Sequence, residues 1–508
     1  MNIAMLLDLV ADAVGDRVAL TDDQGDLTYD ELRALARTAA LQLVGVSART
    51  LAFADAGSRA VPVALFGAAW AGVAYAPLNF RLPDASLRAQ VDRLDRPLTV
   101  TTGEPGDRPG TTPRRTTAGW LAGLEAAADT GADPSPYVEE PEGPAVILFT
   151  SGSSGAPKAA VLSHDNLLSY VMETVELAGA GEDEALLLAA PPFHIAGVAA
   201  VLTSVWSGRR ILPLAAFTPD AWLRQARDRR ATHAFLVPTM LARVVQTLRA
   251  EPTLAVPTLR VISYGGARMA MPVLEEALTL FPGVDFVNAY GLTETSSTIA
   301  VLGPDEHRDA LASDDPDVRR RLRSAGRPLA GVEVAVHDDL GRPVAPGRTG
   351  AIRVRGPQVG GEYLDTESGV DDAGWLVTGD VGFVDDAGYL FVEGRADDVI
   401  IKGGENLSPS EIEDVLLRHP TVRGAAVVGV ADPEWGETVA AAVMVEDADA
   451  DPGAVAEVLS AWVHQHLGTF KTPTRIVVVG ELPATATGKL LRREVRDRLA
   501  GLGGPVSP

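Results

Sequence analysis

The chain has 508 residues, 46% of them apolar, no cysteine, and 68 acidic against 44 basic residues, for a formal charge of −24. At roughly 150 residues per domain that length suggests about three domain-sized units, with enough apolar residues for a substantial core. Such a charge repels nucleic-acid backbone and anionic lipid, so an anionic substrate would need a locally positive pocket. The absence of cysteine excludes disulfide frameworks, thiolate metal sites and cysteine nucleophiles, and it fits a cytoplasmic protein.

The first segment, MNIAMLLDLVADAVGD, is acidic and lacks a basic flank. It predicts an amphipathic helix rather than a signal peptide. No apolar run reaches ~18 residues, so no integral membrane association is expected. LTYDELRALARTAALQL places Leu32, Leu35, Ala36, Ala39, Ala40 and Leu43 on one helical face. VPVALFGAAWAGVAYAPLN predicts a small-residue helix running into a buried strand or turn, and residues 101–118 read as a loop or exposed insertion. Alternation of this kind argues for an α/β region with a mostly parallel sheet. PAVILFT at 144–150 predicts a buried strand, and residues 330–395 are expected to be richer in β structure. From about 396 a compact α+β unit follows. Ser408, Pro409 and Glu411 predict a capped helix with Ile412, Val415 and Leu416 on its apolar face, then two strands, a helix, a strand and a last helix.

The stretch Thr150-Ser151-Gly152-Ser153-Ser154-Gly155-Ala156-Pro157-Lys158 follows the buried strand. Small residues let backbone N–H groups approach phosphate oxygens, and the hydroxyls and lysine add donors and charge. Composition alone would favour a surface Ser/Gly turn. It is not a Walker A loop, a dinucleotide fingerprint or a hydrolase elbow.

Taken with later segments in order, this string resembles the adenylate-forming, AMP-binding superfamily of acyl- and aryl-CoA synthetases. The matching segments are PPFHIAG (191–197), YGGA (264–267), NAYGLTET (288–295), WLVTGD (375–380), GRADDVIIKGGENLSPSEIE (394–413) and PATATGK (483–489). The likeness implies an α/β fold with a large N-terminal region of sub-domains, residues 1–394, holding mixed, mostly parallel sheets and a β-rich part. It implies a small mobile α+β domain at 395–508, hinged near Asp397. The implied cofactors and co-substrates are ATP, Mg²⁺ and CoA, and the implied partner is a small-molecule carboxylic acid, with the protein a monomer or homodimer.

Each residue's implied role has a chemical reason. Glu294 would bind Mg²⁺, a hard carboxylate for a hard cation, and Thr293 would bond phosphate. The loop residues Thr150, Ser151, Gly152, Ser153, Ser154, Gly155 and Lys158 would cradle phosphates. Gly265, Gly266, Ala267, Asn288, Tyr290 and Gly291 would flank the adenine. Asp380 would accept from ribose hydroxyls, with Arg395 near ribose or phosphate. Lys489 would bridge the carboxylate and the α-phosphate. After adenylation, rotation at Asp397 would present Lys402, Gly403, Gly404 and Glu405 to a slender pantetheine. His194 would be a wall or gate between nucleotide and acid, or a hydrogen-bonded core histidine.

The acid's walls are expected from Phe193, His194, Ile195, Val198, Tyr264, Ala289 and Leu292. None is Lys or Arg, which argues for a monocarboxylic acid with an aliphatic or aryl body. The resemblance therefore implies an AMP-forming acid–CoA ligase of the kind serving fatty acid metabolism. Two alternatives stay open. One is an adenylating enzyme that passes the acyl group to an amine or a carrier-protein pantetheine. The other is a non-catalytic nucleotide- or acyl-binding protein. In FKTPTR, Thr472 and Thr474 separate Lys471 and Arg475, which leaves contacts to CoA phosphates open.

Overall fold

The computed structural model describes residues 1–102, 114–128, 137–150, 157–365, 368–447, 449–484 and 490–501. Among them four sheets form. The largest has nine strands in the order Arg327–Pro328, Ser297–Leu302, Asp285–Leu292, Val261–Gly265, His233–Leu236, Ala185–Leu188, Arg210–Pro213, Val18–Asp22 and Gly25–Thr28. Its middle is parallel and both edges are antiparallel. A seven-stranded sheet runs Glu362–Tyr363, Lys158–Leu162, Val146–Thr150, Ala74–Pro77, Thr50–Ala54, Pro97–Thr101 and Arg114–Thr116. Glu333–His337, Gly350–Arg355, Leu376–Val384 and Leu390–Arg395 make an antiparallel four-stranded sheet. The expected β-rich stretch is there. A few residues further on, Ile400–Lys402 begins a separate five-stranded sheet with its own core.

The helices follow the sequence logic closely. Ala4–Val14 buries Leu6, Leu7 and Val10. Tyr29–Gly45 opens with a closed capping box: Thr28 accepts from the Glu31 N–H, and Glu31 accepts from the Thr28 N–H. Its predicted face, Leu32 through Leu43, is buried. Ala60–Trp70 is apolar all round and buried along its whole length, as such a helix must be. A Cβ at Gly67 would meet the Ala39 Cβ at 2.7 Å and the Ala36 carbonyl at 3.0 Å, so glycine sets how closely these two helices pack.

Two expectations need correction. Residues 103–113 lie outside the described residues, but the rest of the presumed loop is ordered structure. Arg114–Thr116 adds a parallel strand beside Pro97–Thr101, and the helix Thr117–Ala128 buries Trp120 and Leu124. The helix Pro409–Leu417 buries Ile412, Val415 and Leu416 as predicted, yet the box at Ser408 does not close. Ser408 Oγ donates instead to the Glu393 carbonyl at 3.1 Å, and Glu411 is taken by Lys471 Nζ at 2.6 Å. Tertiary partners have outcompeted the local cap.

The remaining elements of this unit are Val422–Asp432, Gly436–Val445, Pro452–Lys471, Arg475–Val478 and Arg492–Gly501, in the predicted order. Arg492 clamps Glu413 with two N–H donors, one on each carboxylate oxygen, and Glu413 Oε1 also accepts the Val427 N–H at 2.7 Å. The unit touches the rest of the molecule through Asp414. Its buried carboxylate pairs with Arg268 at 2.6 Å and lies 3.9 Å from Arg323. Burial nevertheless holds its carboxyl above the usual range. No described helix is long and apolar enough to cross a membrane.

Candidate active site

Open α/β sheets bind ligands beyond the carboxyl ends of their parallel strands. Here Val261–Gly265 and Asp285–Leu292 run parallel, with Gly265 opposite Ala289. A Cβ on Gly265 would sit 2.1 Å from the Ala289 carbonyl oxygen, so strand packing requires glycine. Gly266 turns out of the strand at φ +78, and Ala267 is exposed beyond it. Asn288 donates to the Ser324 carbonyl at 2.9 Å, which ties this strand end to the following segment.

Three predicted residues converge next. Leu376–Val384 and Leu390–Arg395 pair so that Asp380 faces Arg395. The Arg395 guanidinium donates to Asp380 Oδ1 at 3.2 Å and to the Thr378 carbonyl at 3.1 Å. Tyr290 Oη donates to Asp380 Oδ2 at 2.6 Å. Burial, then the charge of Asp380, pushes the Tyr290 phenol far above its ordinary range, so it is a neutral donor. The tyrosine therefore engages the carboxylate through its hydroxyl, a contact that the expected place beside the adenine did not include.

Glu294 and Thr293 sit on the short 3₁₀ turn Thr293–Thr295 that continues the strand ending at Gly291 and Leu292. A Cβ at Gly291 would lie 1.7 Å from the Ser297 carbonyl, so the chain crosses itself here at backbone distance. Glu294 Oε1 accepts from Tyr363 Oη at 2.8 Å. The Lys158 ammonium lies 5.2 Å from the centre of the Tyr363 ring. Thr150 Oγ1 donates to the Lys158 carbonyl at 3.4 Å across the mouth of the hairpin. Ser151, Gly152, Ser153, Ser154 and Gly155 lie outside the described residues. A divalent cation fits this donor set. Glu294 gives one oxygen to a neutral hydroxyl, so acceptor capacity remains on its carboxylate. No group of three or more His, Asp or Glu placed to hold a metal ion occurs among the described residues, so such a cation would share its shell with phosphate and water.

Of the expected acid walls, Phe193 packs edge-on against Phe80 with centroids 6.1 Å apart. His194 caps the helix Ile195–Ser207 by accepting the Ala196 N–H at Nδ1, 3.4 Å. Ile195 and Val198 are buried on that helix, whereas Ala289 and Leu292 are partly exposed. Tyr264 is different. Only 1% exposed, it belongs to the core, and its hydroxyl donates to His307 Nε2 at 2.9 Å. His307 Nδ1–H in turn donates to the Gly303 carbonyl at 2.7 Å, which fixes the neutral tautomer.

That network makes a pH prediction. Burial pushes the His307 pKa down to about 4. The unfolded chain, with an ordinary value of ~6.5, binds the proton more readily. The stability His307 contributes is thus complete above ~pH 6.5 and is lost as pH falls through about 4, up to roughly 3 kcal/mol. Denaturant titrations at pH 7 and pH 4.5 are expected to differ less in His307→Gln than in the native chain.

A cavity of about 310 Å³ opens beside these walls, and its lining Ala189–Pro191 runs directly into Phe193 and His194. None of the residues expected as acid walls lines it, and two charged residues that the sequence did not point to do. Arg81 lies over Phe80 at 5.2 Å and Arg243 over Phe217 at 5.6 Å, and both line the cavity. They come from segments outside the recognised motifs, so nothing in the sequence tied them to the site. Ala484, five residues before Lys489, also lines it. Lys489 itself lies outside the described residues.

The glycine pair is a turn. Ile400–Lys402 and Glu405–Leu407 form a hairpin with Lys402 opposite Glu405, and Gly403 and Gly404 have φ +57 and +83. Two positive φ values in a two-residue loop suit a twisted hairpin and call for glycine. Lys402, expected to be presented to pantetheine, donates through its ammonium to the Phe470 carbonyl at 2.8 Å and is packed against the rings of Phe470 and Trp435, at 5.0 and 5.8 Å. Burial lowers its pKa. Lys471 is held by Glu411, and Arg475 donates to the Leu499 carbonyl at 2.7 Å. Asp397 lies in the short turn Ala396–Asp398, with its carbonyl 3.4 Å from Arg496.

Fold and site together define an adenylate-forming enzyme. The chain belongs to the AMP-binding enzyme family: that family's profile matches residues 7–364, and the AMP-binding enzyme C-terminal domain matches residues 411–489. It is an acid–thiol ligase of the AMP-forming kind. Feruloyl-CoA synthase of Amycolatopsis sp is 33% identical over 488 residues, 93% of this chain and 94% of the relative. The o-succinylbenzoate CoA synthetase of Bacillus subtilis, solved with its acyl-adenylate intermediate, superposes with a TM-score of 0.81 at 29% identity, covering 97% of this chain and 98% of that one. An amide bond synthetase from Marinactinospora thermotolerans gives a TM-score of 0.80 at 30% identity, covering 98% and 99%.

Proposed function

We propose that this enzyme is an ATP- and Mg²⁺-dependent carboxylic acid–CoA ligase that prefers a monocarboxylic acid with an aryl or aliphatic body. The carrying observation is the Tyr290–Asp380–Arg395 cluster, in which Tyr290, on the strand that leads into Glu294, meets Asp380 and Arg395 from a neighbouring hairpin. It presents a carboxylate, oriented by a neutral and a cationic donor, where an acceptor for ribose hydroxyls is needed.

In the first step a carboxylate oxygen of the acid attacks the α-phosphorus of ATP, the bond to the bridging oxygen breaks and pyrophosphate leaves. In the second, the CoA thiolate attacks the acyl carbon, and AMP departs with the electron pair of the broken C–O bond. Glu294 would hold the divalent cation, whose chemistry is to neutralise phosphate charge, and Thr293 would bond phosphate. Lys158 and Arg395 add positive charge, and His194 with Phe193 separates acid from nucleotide. No side chain forms a covalent intermediate; positioning and charge neutralisation supply the rate. Residues 1–394 would bind ATP and the acid. Residues 395–508 would turn about Asp397 between the steps, bringing Lys489 in for the first and the Gly403–Gly404 turn for the second. The likeness to an ATP- and magnesium-bound synthetase supports the cofactor set, and the names of the relatives support CoA. A cytoplasmic location fits the absence of cysteine.

The test is a panel of aryl and aliphatic acids with ATP, Mg²⁺ and CoA, scored by AMP release and by mass spectrometry of the thioester. Including acids with a second carboxylate probes Arg81 and Arg243. Adenylate formation without CoA turnover would move the assignment to an amine or carrier-protein acceptor, the reading favoured by the likeness to an amide bond synthetase. Lys489→Ala is expected to lower acid-dependent pyrophosphate exchange by ~10²–10³-fold while leaving thioester formation from supplied acyl-adenylate nearly intact. Unchanged exchange would remove that lysine from the first step.

A further inference from the structure

Glu294 has a partner that no motif pointed to. Tyr363 comes from a strand of two residues, Glu362–Tyr363, laid antiparallel on Lys158–Leu162 with Tyr363 opposite Ala160. So short a strand has little hold of its own, yet its flanks are tied on both sides. The Leu364 N–H donates to the Ala159 carbonyl at 3.0 Å, and the Gly360 N–H to the carbonyl of Glu294 itself at 2.8 Å. Gln358 Nε2 donates to the carbonyls of Thr295 and Thr298 at 2.9 and 2.7 Å. Arg93 grips Asp365 at 2.9 Å through Nε and the Pro157 carbonyl at 2.7 Å, next to the end of the phosphate loop. One strap, residues 357–365, thus holds the backbone of Glu294, its carboxylate and the strand that starts at Lys158.

We infer that Tyr363 is a positioning residue for Glu294. Its hydroxyl fixes one carboxylate oxygen so that the other is presented to the divalent cation that accompanies ATP. The inference rests on the reading of Glu294 as the cation's ligand. Tyr363 also keeps two opposite charges apart. A free glutamate near a lysine lowers its energy by forming an ion pair, and that would take both the cation's ligand and a phosphate donor out of use. In this structure Lys158 meets the ring and Glu294 meets the hydroxyl, so the two are linked through the tyrosine and not to each other.

Tyr363→Phe isolates the donor, because the ring under Lys158 stays. Mn²⁺ is the probe, followed by electron paramagnetic resonance in the presence of ATP, with Mg²⁺ titrations of pyrophosphate exchange alongside. A hydrogen bond to a charged group supports a ~10-fold or larger effect. Tyr363→Phe is expected to weaken Mn²⁺ binding about 10-fold and to raise the half-saturating Mg²⁺ concentration similarly, with metal-free ATP binding by calorimetry unchanged. In a Glu294→Gln background the same substitution is expected to add nothing. Unchanged Mn²⁺ affinity in Tyr363→Phe, with Glu294→Gln impaired, overturns the inference alone. Equal losses in both backgrounds also overturn it and leave Tyr363 a merely structural residue. If Glu294→Gln binds Mn²⁺ normally, the reading of Glu294 fails instead. Should Tyr363→Phe not fold, Gln358→Ala loosens the same strap without touching the ring, and unaltered Mn²⁺ affinity there overturns the inference as well.

Discussion

Asp380→Ala is expected to raise the KM for ATP about 100-fold in pyrophosphate exchange and to leave the KM for the acid within a few-fold. The carboxylate is 7% exposed and accepts from Tyr290 and Arg395. Truncation removes the acceptor proposed for two ribose hydroxyls, and charged hydrogen bonds contribute about 1.5–3 kcal/mol each. It also leaves the Tyr290 hydroxyl buried without its acceptor. Asp380→Asn separates the two effects. It keeps a carbonyl for one donor and fills the same volume, so its melting temperature is expected to stay near native while KM for ATP still rises. Comparison of the two variants by exchange kinetics and calorimetry is the check. An Asp380→Asn enzyme with native KM for ATP would remove Asp380 from the nucleotide site.

The second large effect is on stability. Arg492→Met is expected to destabilise the small C-terminal unit by about 3–5 kcal/mol, because it leaves Glu413 buried without its cation. Glu413 is 9% exposed, and among the described residues its other hydrogen bond comes from the Val427 N–H. The Arg492 guanidinium also lies 3.6 Å from Asp398, next to the proposed hinge. Differential scanning calorimetry would show a new low-temperature transition. The double variant Arg492→Met, Glu413→Leu is expected to recover part of the loss, since an apolar pair of similar size needs no desolvation. If the single variant melts like the native chain, the clamp carries no net stability.

Much of this was legible in the chain. The helix Tyr29–Gly45 could be placed because its apolar spacing, its Thr28–Glu31 box and its core face all agree. Asp380 and Arg395 could be named, but not their pairing, which depends on a hairpin register that shifts by one residue between Val381 and Gly382. Tyr363 was invisible: its strand has two residues and its partner lies some 200 positions earlier, beyond any local periodicity. The surroundings of Lys402 were out of reach for a similar reason. The rings that enclose it, Trp435 and Phe470, come from other elements. The Ser408 box was locally sound and lost to partners on other elements, Glu393 and Lys471.

The strap at 357–365 also bears on how the protein is made. A ribosome delivers Lys158–Leu162 long before Glu362–Tyr363, the strand that covers its edge. About 200 residues separate them, roughly 10–40 s of synthesis at ~5–20 residues per second. Over that interval the nascent sheet carries an unpaired edge of β-prone sequence, a template for pairing with other chains. The nine-stranded sheet has a similar wait, since Val18–Asp22 pairs with Gly25–Thr28 at once but finds its second neighbour only when Arg210–Pro213 has emerged. Biogenesis of this enzyme is therefore a matter of guarding open edges during translation, and the segment proposed to aim Glu294 is the one that ends the exposure.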